Sequence, residues 1–234
     1  MNAHESRDDS GDLLAAAEHY AALGLRVFPM HWPTSQWVCS CGCAHPKCWR
    51  RGKHPLVPRD QATTDVSTIR RWWARWPNAN VGILASSLLL VDADVRNGAP
   101  PDLAALAEHW RLRPDEMVAC RTGSGGYHLY FERPAVRHGR GKDRLGRGFD
   151  VQSGKRDFVV APPSVHYSLN RYMWLPGNEP GTRPFPAASQ SLLTELSGFP
   201  PPWWLLHVAP YWAADLLHLS VETRHSIRRL LRMQ

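Results

Sequence analysis

The stretch Leu88-Leu89-Leu90-Val91-Asp92-Ala93-Asp94 runs four apolar residues straight into two carboxylates separated by one small residue. A strand sets residues two apart on one face, with Cα atoms roughly 6.5–7 Å apart. Asp92 and Asp94 are therefore expected to share a face at the end of a buried stem. Such a pair can hold two divalent cations about 3.5–4 Å apart. A lone D-x-D is more often a strand ending in a polar turn, and the neighbouring stretches argue for the metal reading.

Downstream, residues 118–121 read as a short strand, followed by Thr122-Gly123-Ser124-Gly125-Gly126 and a strand over 127–131 that carries His128 just inside it. A glycine-rich loop lets backbone N–H groups approach phosphate. No G-x4-G-K-[ST] occurs, so a P-loop ATPase is excluded. Residues 133–147 carry six Lys/Arg, one His and one Asp, which suits a solvated loop or a phosphate-gripping flap. Gly148-Phe149-Asp150-Val151 opens another strand with a third acid. Residues 158–161 form an apolar strand closed by Pro162-Pro163-Ser164, and residues 172–174 one more edge strand. Beyond a Pro/Ser/Gly-rich stretch over 177–202, with a short helix near Leu192, a basic helix is expected over 222–233.

Upstream, residues 12–23 have helical spacing (Leu13, Ala16, Ala17, Tyr20, Leu23) with Gly24 as C-terminal cap, and residues 25–30 read as a buried strand. Cys39, Cys41, Cys43, His45, Cys48 and His54 then fall within 16 residues. In a reducing compartment this density points to zinc held by four sulfur or nitrogen ligands, with six candidates for four places. Asp65 is expected to cap a helix over 66–76, whose Ile69, Trp72, Trp73 and Trp76 form a core stripe rather than a base-stacking platform. Strands over 81–85 and 88–94 are joined by a tight Ser86-Ser87 turn. A turn at Asn97-Gly98 and a helix over 101–110 follow.

The chain has 234 residues, 43% of them hydrophobic, enough for one large domain with small appendages. Residues 1–11 read as a disordered leader without a signal core, and no apolar run spans a membrane, so a cytoplasmic protein is expected. A net charge of +7 suits a polyanionic partner such as nucleic acid. Arginine, which supplies most of the positive charge, favours bidentate phosphate contacts.

The order LLLVDAD, TGSGGYH, GFD resembles the three motifs of the archaeo-eukaryotic primase superfamily. The closer resemblance is to the bifunctional DNA primase/polymerase (Prim-Pol) family of plasmids, phages and integrated elements. ATTD before a Trp-rich helix, WPNANVGI and VVAPPS are similar to that family too. The resemblance covers about residues 13–200. It implies an α/β (α+β) fold: a two-module core with an RRM-like catalytic sheet and a zinc module near residues 36–56, with a catalytic domain over 12–200 and a helical tail over 201–234. It implies that Asp92, Asp94 and Asp150 hold two Mg²⁺ or Mn²⁺ ions and that His128 contacts the incoming nucleotide's phosphates. Ser124, Gly125 and Gly126 match the loop beside His128, and Arg121 and Lys155 are taken as further nucleotide contacts. One structural Zn²⁺ would fall to Cys39, Cys41, Cys48 and His54, with Cys43 and His45 as alternates. Gln152 departs from the family, which often has a basic residue there; Lys155 and Arg156 could supply that charge. The expected activity is template-directed DNA primase/polymerase, a nucleotidyltransferase in DNA replication, acting on single-stranded DNA and nucleoside triphosphates beside a separate helicase. A non-catalytic nucleic-acid-binding protein and a two-metal nuclease are the alternatives.

Overall fold

The structure is a computed structural model that describes residues 9–35, 38–42, 48, 52–135 and 138–197. The chain divides into two compact units, Met1–Gly198 and Phe199–Gln234. The second unit lies outside the described residues, and with it the helix expected over 222–233. Residues 1–8 of the expected leader also lie outside, whereas 9–11 belong to the first helix.

In chain order the first elements are α1 (Asp9–Ala22), β1 (Val27–Met30), β2 (Pro33–Ser35), β3 (Val38–Cys39), α2 (Val66–Arg75), β4 (Asn80–Leu84) and β5 (Leu88–Ala93). They are followed by α3 (Leu103–His109), β6 (Val118–Arg121), β7 (Tyr127–Glu132), β8 (Phe149–Gln152), β9 (Phe158–Ala161), β10 (Met173–Trp174) and α4 (Gln190–Leu196). Three antiparallel sheets result: β1-β4-β9, β10-β6-β7-β5-β8, and the small hairpin β2-β3.

The Ser86-Ser87 turn does not make a hairpin. β4 pairs with β1 and β9, and β5 pairs with β7 and β8, so Ala85, Ser86 and Ser87 carry the chain from one sheet to the other. The Ala85 N–H is taken by the Asp157 carbonyl at 2.8 Å, which helps turn the chain away. Helix α1 buries Leu13, Ala17 and Tyr20, and it ends at Gly24, whose φ of +79° suits glycine. Helix α2 is capped by Asp65, which accepts from the Thr68 N–H. The tryptophan stripe is core: Ile69 and Trp73 are buried, and Trp72 and Trp76 pack on the same cluster. That cluster joins α1 and α2 to one face of each large sheet, including Val81 and Ile83 of β4 and Leu88, Leu90 and Tyr130 of the second sheet. Among the described residues no helix is long and apolar enough to cross a membrane.

Candidate active site and metal cluster

Strand β5 lies at the centre of the site. Asp92 is directly opposite His128 of β7 on one side and Asp150 of β8 on the other, and His128 is opposite Cys120 of β6. Residues directly opposite across antiparallel strands share a face. Cys120, His128, Asp92 and Asp150 therefore form one row across four strands. Asp92, His128 and Asp150 line a cavity of about 370 Å³, together with Lys53, Arg59, Gln152, Asp157, Tyr172 and residues 158–160 of β9.

The row is electrostatically uneven. His128 Nε2 lies 3.7 Å from Asp92 Oδ1. Burial would lower the His128 pKa, but the Asp92 charge lifts it to about 10. Burial pushes the Asp92 carboxyl up, and the charges of His128, Lys53 and Arg96 outweigh it and hold the group below the usual range. Asp150 goes the other way: burial and the neighbouring Asp92 charge raise it, although the Asp143 N–H donates to its Oδ1 at 2.8 Å. Like charges directly opposite destabilise a sheet. Two carboxylates so placed, facing a cavity, could share a divalent cation.

Asp94 sits one residue past the strand. Its backbone N–H donates to Gly148 O, and its carboxylate caps a 3-10 turn over Val95–Asn97, accepting from the Arg96 backbone and guanidinium and from Asn97 Nδ2. It does not line the cavity alongside Asp92. The strand ends at Ala93, so the alternation that would align Asp92 with Asp94 stops there.

The glycine-rich loop serves the fold first. Gly125 and Gly126 spend their N–H groups on the Thr122 carbonyl and hydroxyl, closing the β6–β7 turn, and Ser124 Oγ pairs with Thr122 Oγ1. A side chain on Gly126 would stand 2.2 Å from the Ala93 carbonyl, so glycine lets the turn close over the end of β5. Arg121 is exposed and alternates with Cys120, so it lies on the face opposite the row, and Lys155 is exposed in the β8–β9 link. Neither lines the cavity. Lys53 and Arg59 line the cavity beside Gln152.

The described part of the basic stretch over 133–147, residues 133–135 and 138–147, is exposed at several positions but tied to its surroundings. Arg133 donates to Ser86 O, Arg140 to Asp157 and Arg144 to Leu196 O, Leu145 is buried, and Gly141 bridges Val151 of β8. The segment straps the edge of β8 and presents the Asp143 N–H to Asp150.

Cys39, Cys41, Cys48 and His54 converge, their ligand atoms all within 4.8 Å of one another. Cys41–Cys48 Sγ atoms are 3.6 Å apart, and His54 Nε2 is 3.3 Å from Cys39 Sγ and 3.6 Å from Cys48 Sγ. Zn–S near 2.3 Å and Zn–N near 2.0–2.1 Å put tetrahedral ligand atoms roughly 3.5–3.8 Å apart. The cluster could therefore hold one zinc ion. Burial keeps the His54 pKa below its ordinary value, favouring the neutral ring that ligates. The alternates Cys43 and His45 lie outside the described residues.

Lys53, Arg59 and Tyr172 are cavity residues that the motif order does not reveal. Lys53 lies inside Gly52-Lys53-His54-Pro55, where the density of zinc ligands masks it. Arg59 sits in a stretch without periodicity, and Tyr172 in the short edge strand expected over 172–174, which carries no motif.

The Prim-Pol family model (bifunctional DNA primase/polymerase, N-terminal) matches residues 17–189, a span holding every residue of the row and of the cluster. The chain belongs to the Prim-Pol family. That family implies a nucleotidyltransferase-type enzyme acting on DNA and nucleotides. No curated protein matches the chain.

Proposed function

We propose that this Prim-Pol domain is a template-directed DNA primase/polymerase that transfers nucleotides from nucleoside triphosphates onto a primer or an initiating nucleotide. The observation that carries this reading is the in-register row Asp150–Asp92–His128 lining one cavity with Lys53 and Arg59. A nucleoside triphosphate brings several negative charges and its own divalent cation. A pocket for it needs acids for the metal and cations for the phosphates. Asp92 and Asp150 suit two Mg²⁺ or Mn²⁺ ions, which when bound would activate the attacking 3′-oxygen and neutralise the leaving pyrophosphate. His128, beside Asp92, would donate to the phosphates and orient the substrate. Asp94, whose carboxylate caps its own turn, remains the third carboxylate of the proposed set.

The order β6-β7-β5-β8, with helix α3 in the crossover from β5 to β6, supports an RRM-like reading of the catalytic sheet. The strap over 133–148 occupies the place of a second crossover helix. A nuclease could use the same carboxylates, but it has less need of Lys53, Arg59 and His128 beside them.

The test incubates the full chain with a single-stranded DNA template, labelled NTPs or dNTPs, and Mg²⁺ or Mn²⁺. Template-dependent products that vanish with Asp92→Asn support the reading. Shortened template would make the protein a nuclease, and binding without either product would make it a nucleic-acid-binding module.

A further inference from the structure

We propose that Lys53 grips the phosphates of the substrate nucleotide, and that the Cys39–Cys41–Cys48–His54 cluster is the clamp that points it into the cavity. The inference rests on the nucleotidyl-transfer reading above and assigns within it a phosphate-binding residue and a task for the metal cluster.

Lys53 lines the same cavity as Asp92, Asp150 and His128. It does not come from the sheet that carries those residues. It enters from the segment over 52–56, adjacent to a cluster ligand. Its neighbours hold it on both sides. Gly52 donates its N–H to Cys39 Sγ at 3.4 Å and gives its carbonyl to the buried Asn80 amide at 3.1 Å. A φ of +66° at Gly52, with Pro33 Cδ 2.9 Å from where a Cβ would stand, makes this turn available only to glycine. On the other side, the His54 carbonyl accepts from His31 N–H at 2.9 Å, the two rings stack at 4.2 Å, and Leu56 N–H donates to Pro29 O at 3.0 Å. Lys53 is thus the middle residue of a short strap stapled to β1, to β4 and, through Cys39 and His54, to the cluster.

Inside the cavity Lys53 faces Tyr172 and Asp92. Asp92 also has the His128 imidazole beside it, Nε2 3.7 Å from Oδ1, so Lys53 is not its sole neighbour. The other cation of the same wall, Arg59, spends one N–H on the Arg156 carbonyl and lies over the Phe158 ring. A lysine ammonium on a flexible stem is a movable point charge and a common phosphate ligand. Fixing its Cα leaves only the stem to be ordered when phosphate arrives. Loss of the cluster would free Gly52 and His54 together and let that Cα drift, so zinc and nucleotide affinity should be linked.

The experiment titrates a fluorescent nucleoside triphosphate into the full chain with Ca²⁺ and no template, and measures zinc content and Mn²⁺ affinity in parallel. Lys53→Ala is expected to weaken triphosphate binding about ten- to a hundredfold, the usual effect of losing a charge-assisted contact. Zinc content and Mn²⁺ affinity should hold, and Lys53→Arg should regain part of the loss. Cys41→Ser with Cys48→Ser should weaken triphosphate binding to a similar degree, and adding Lys53→Ala should then cost little more. Unchanged triphosphate affinity with tighter Mn²⁺ binding in Lys53→Ala would overturn the assignment and make Lys53 a counter-ion of Asp92. Loss of zinc or of the fold in Lys53→Ala would overturn it too, making the lysine a support for the cluster. Full triphosphate affinity in the zinc-ligand variant would remove the clamp. A wild-type chain that neither binds triphosphate nor makes product would instead sink the nucleotidyl-transfer reading itself.

Discussion

Asp92 and Asp94 stand two residues apart in an apparently symmetrical pair, yet the structure gives them different surroundings. Asp92 faces the cavity between His128 and Asp150, while Asp94 has turned its carboxylate onto Arg96 and Asn97. The difference dictates which substitutions are informative. Asp92→Asn should reduce nucleotide incorporation by at least about a hundredfold, on the scale of losing a main electrostatic contact in a transition state. Thermal stability should fall, because the buried His128 and the neighbouring Lys53 lose the carboxylate that offsets their charge. For Asp94 the test is again asparagine, which caps a turn about as well as aspartate. Asp94→Asn should therefore keep the wild-type Tm while losing synthesis, measured by primer extension and thermal melting on the same preparations. Retained synthesis would restrict Asp94 to shaping its turn.

Helix α2 and the strap over 133–147 show how much an element's partners matter. Asp65 caps α2 by accepting from the Thr68 hydroxyl, the Ser67 hydroxyl and the Thr68 N–H, and these bonds push its pKa from 3.8 down to about 2. A depressed carboxyl stabilises the fold above its ordinary pKa, and that contribution disappears as pH falls through the folded value. Asp65→Ala should therefore lower Tm at neutral pH, and its gap from wild type should close between about pH 4 and pH 2. A constant gap over that range would separate the cap from its charge. The strap has six Lys/Arg, which from composition alone suits a DNA grip, but Arg140 is committed to Asp157 and Arg144 to Leu196 O. Substituting Arg140 and Arg144 by alanine should leave the salt dependence of single-stranded DNA binding unchanged. A genuine phosphate contact would flatten that slope by about 0.7 per site. The Arg140–Asp157 pair is largely solvated and should contribute less than about 1 kcal/mol to stability.

At the scale of the whole molecule, the cluster and the cavity are two ends of one strap. The expected content is one zinc per chain, and Cys41→Ser with Cys48→Ser should lose it along with local order over residues 52–56, read by metal analysis and hydrogen exchange. Priming takes two nucleotides and extension takes one, so priming should fall further than extension in that variant. Equal loss of both activities would mean that the cluster supports the entire fold. The features legible from the chain were those carried by short spacing. Asp65 three residues before Thr68 announced a cap, the 3.6-residue stripe of Ile69, Trp72, Trp73 and Trp76 announced a buried face, and the crowding of Cys39, Cys41, Cys48 and His54 announced ligands. Each depends on residues that are neighbours because the backbone makes them so. The row was legible only as three motifs in order; its register came from strand pairing, in which β5 is zipped between β7 and β8 by residues 36 and 58 positions away from Asp92. The same long-range packing decided that β4 and β5 part into different sheets, that Asp94 faces its own turn, and that Lys53 reaches a cavity built about 40 residues downstream. None of those outcomes has a local period. They depend on which distant surfaces are buried against each other, and that is settled only when the sheets and the strap close around one core.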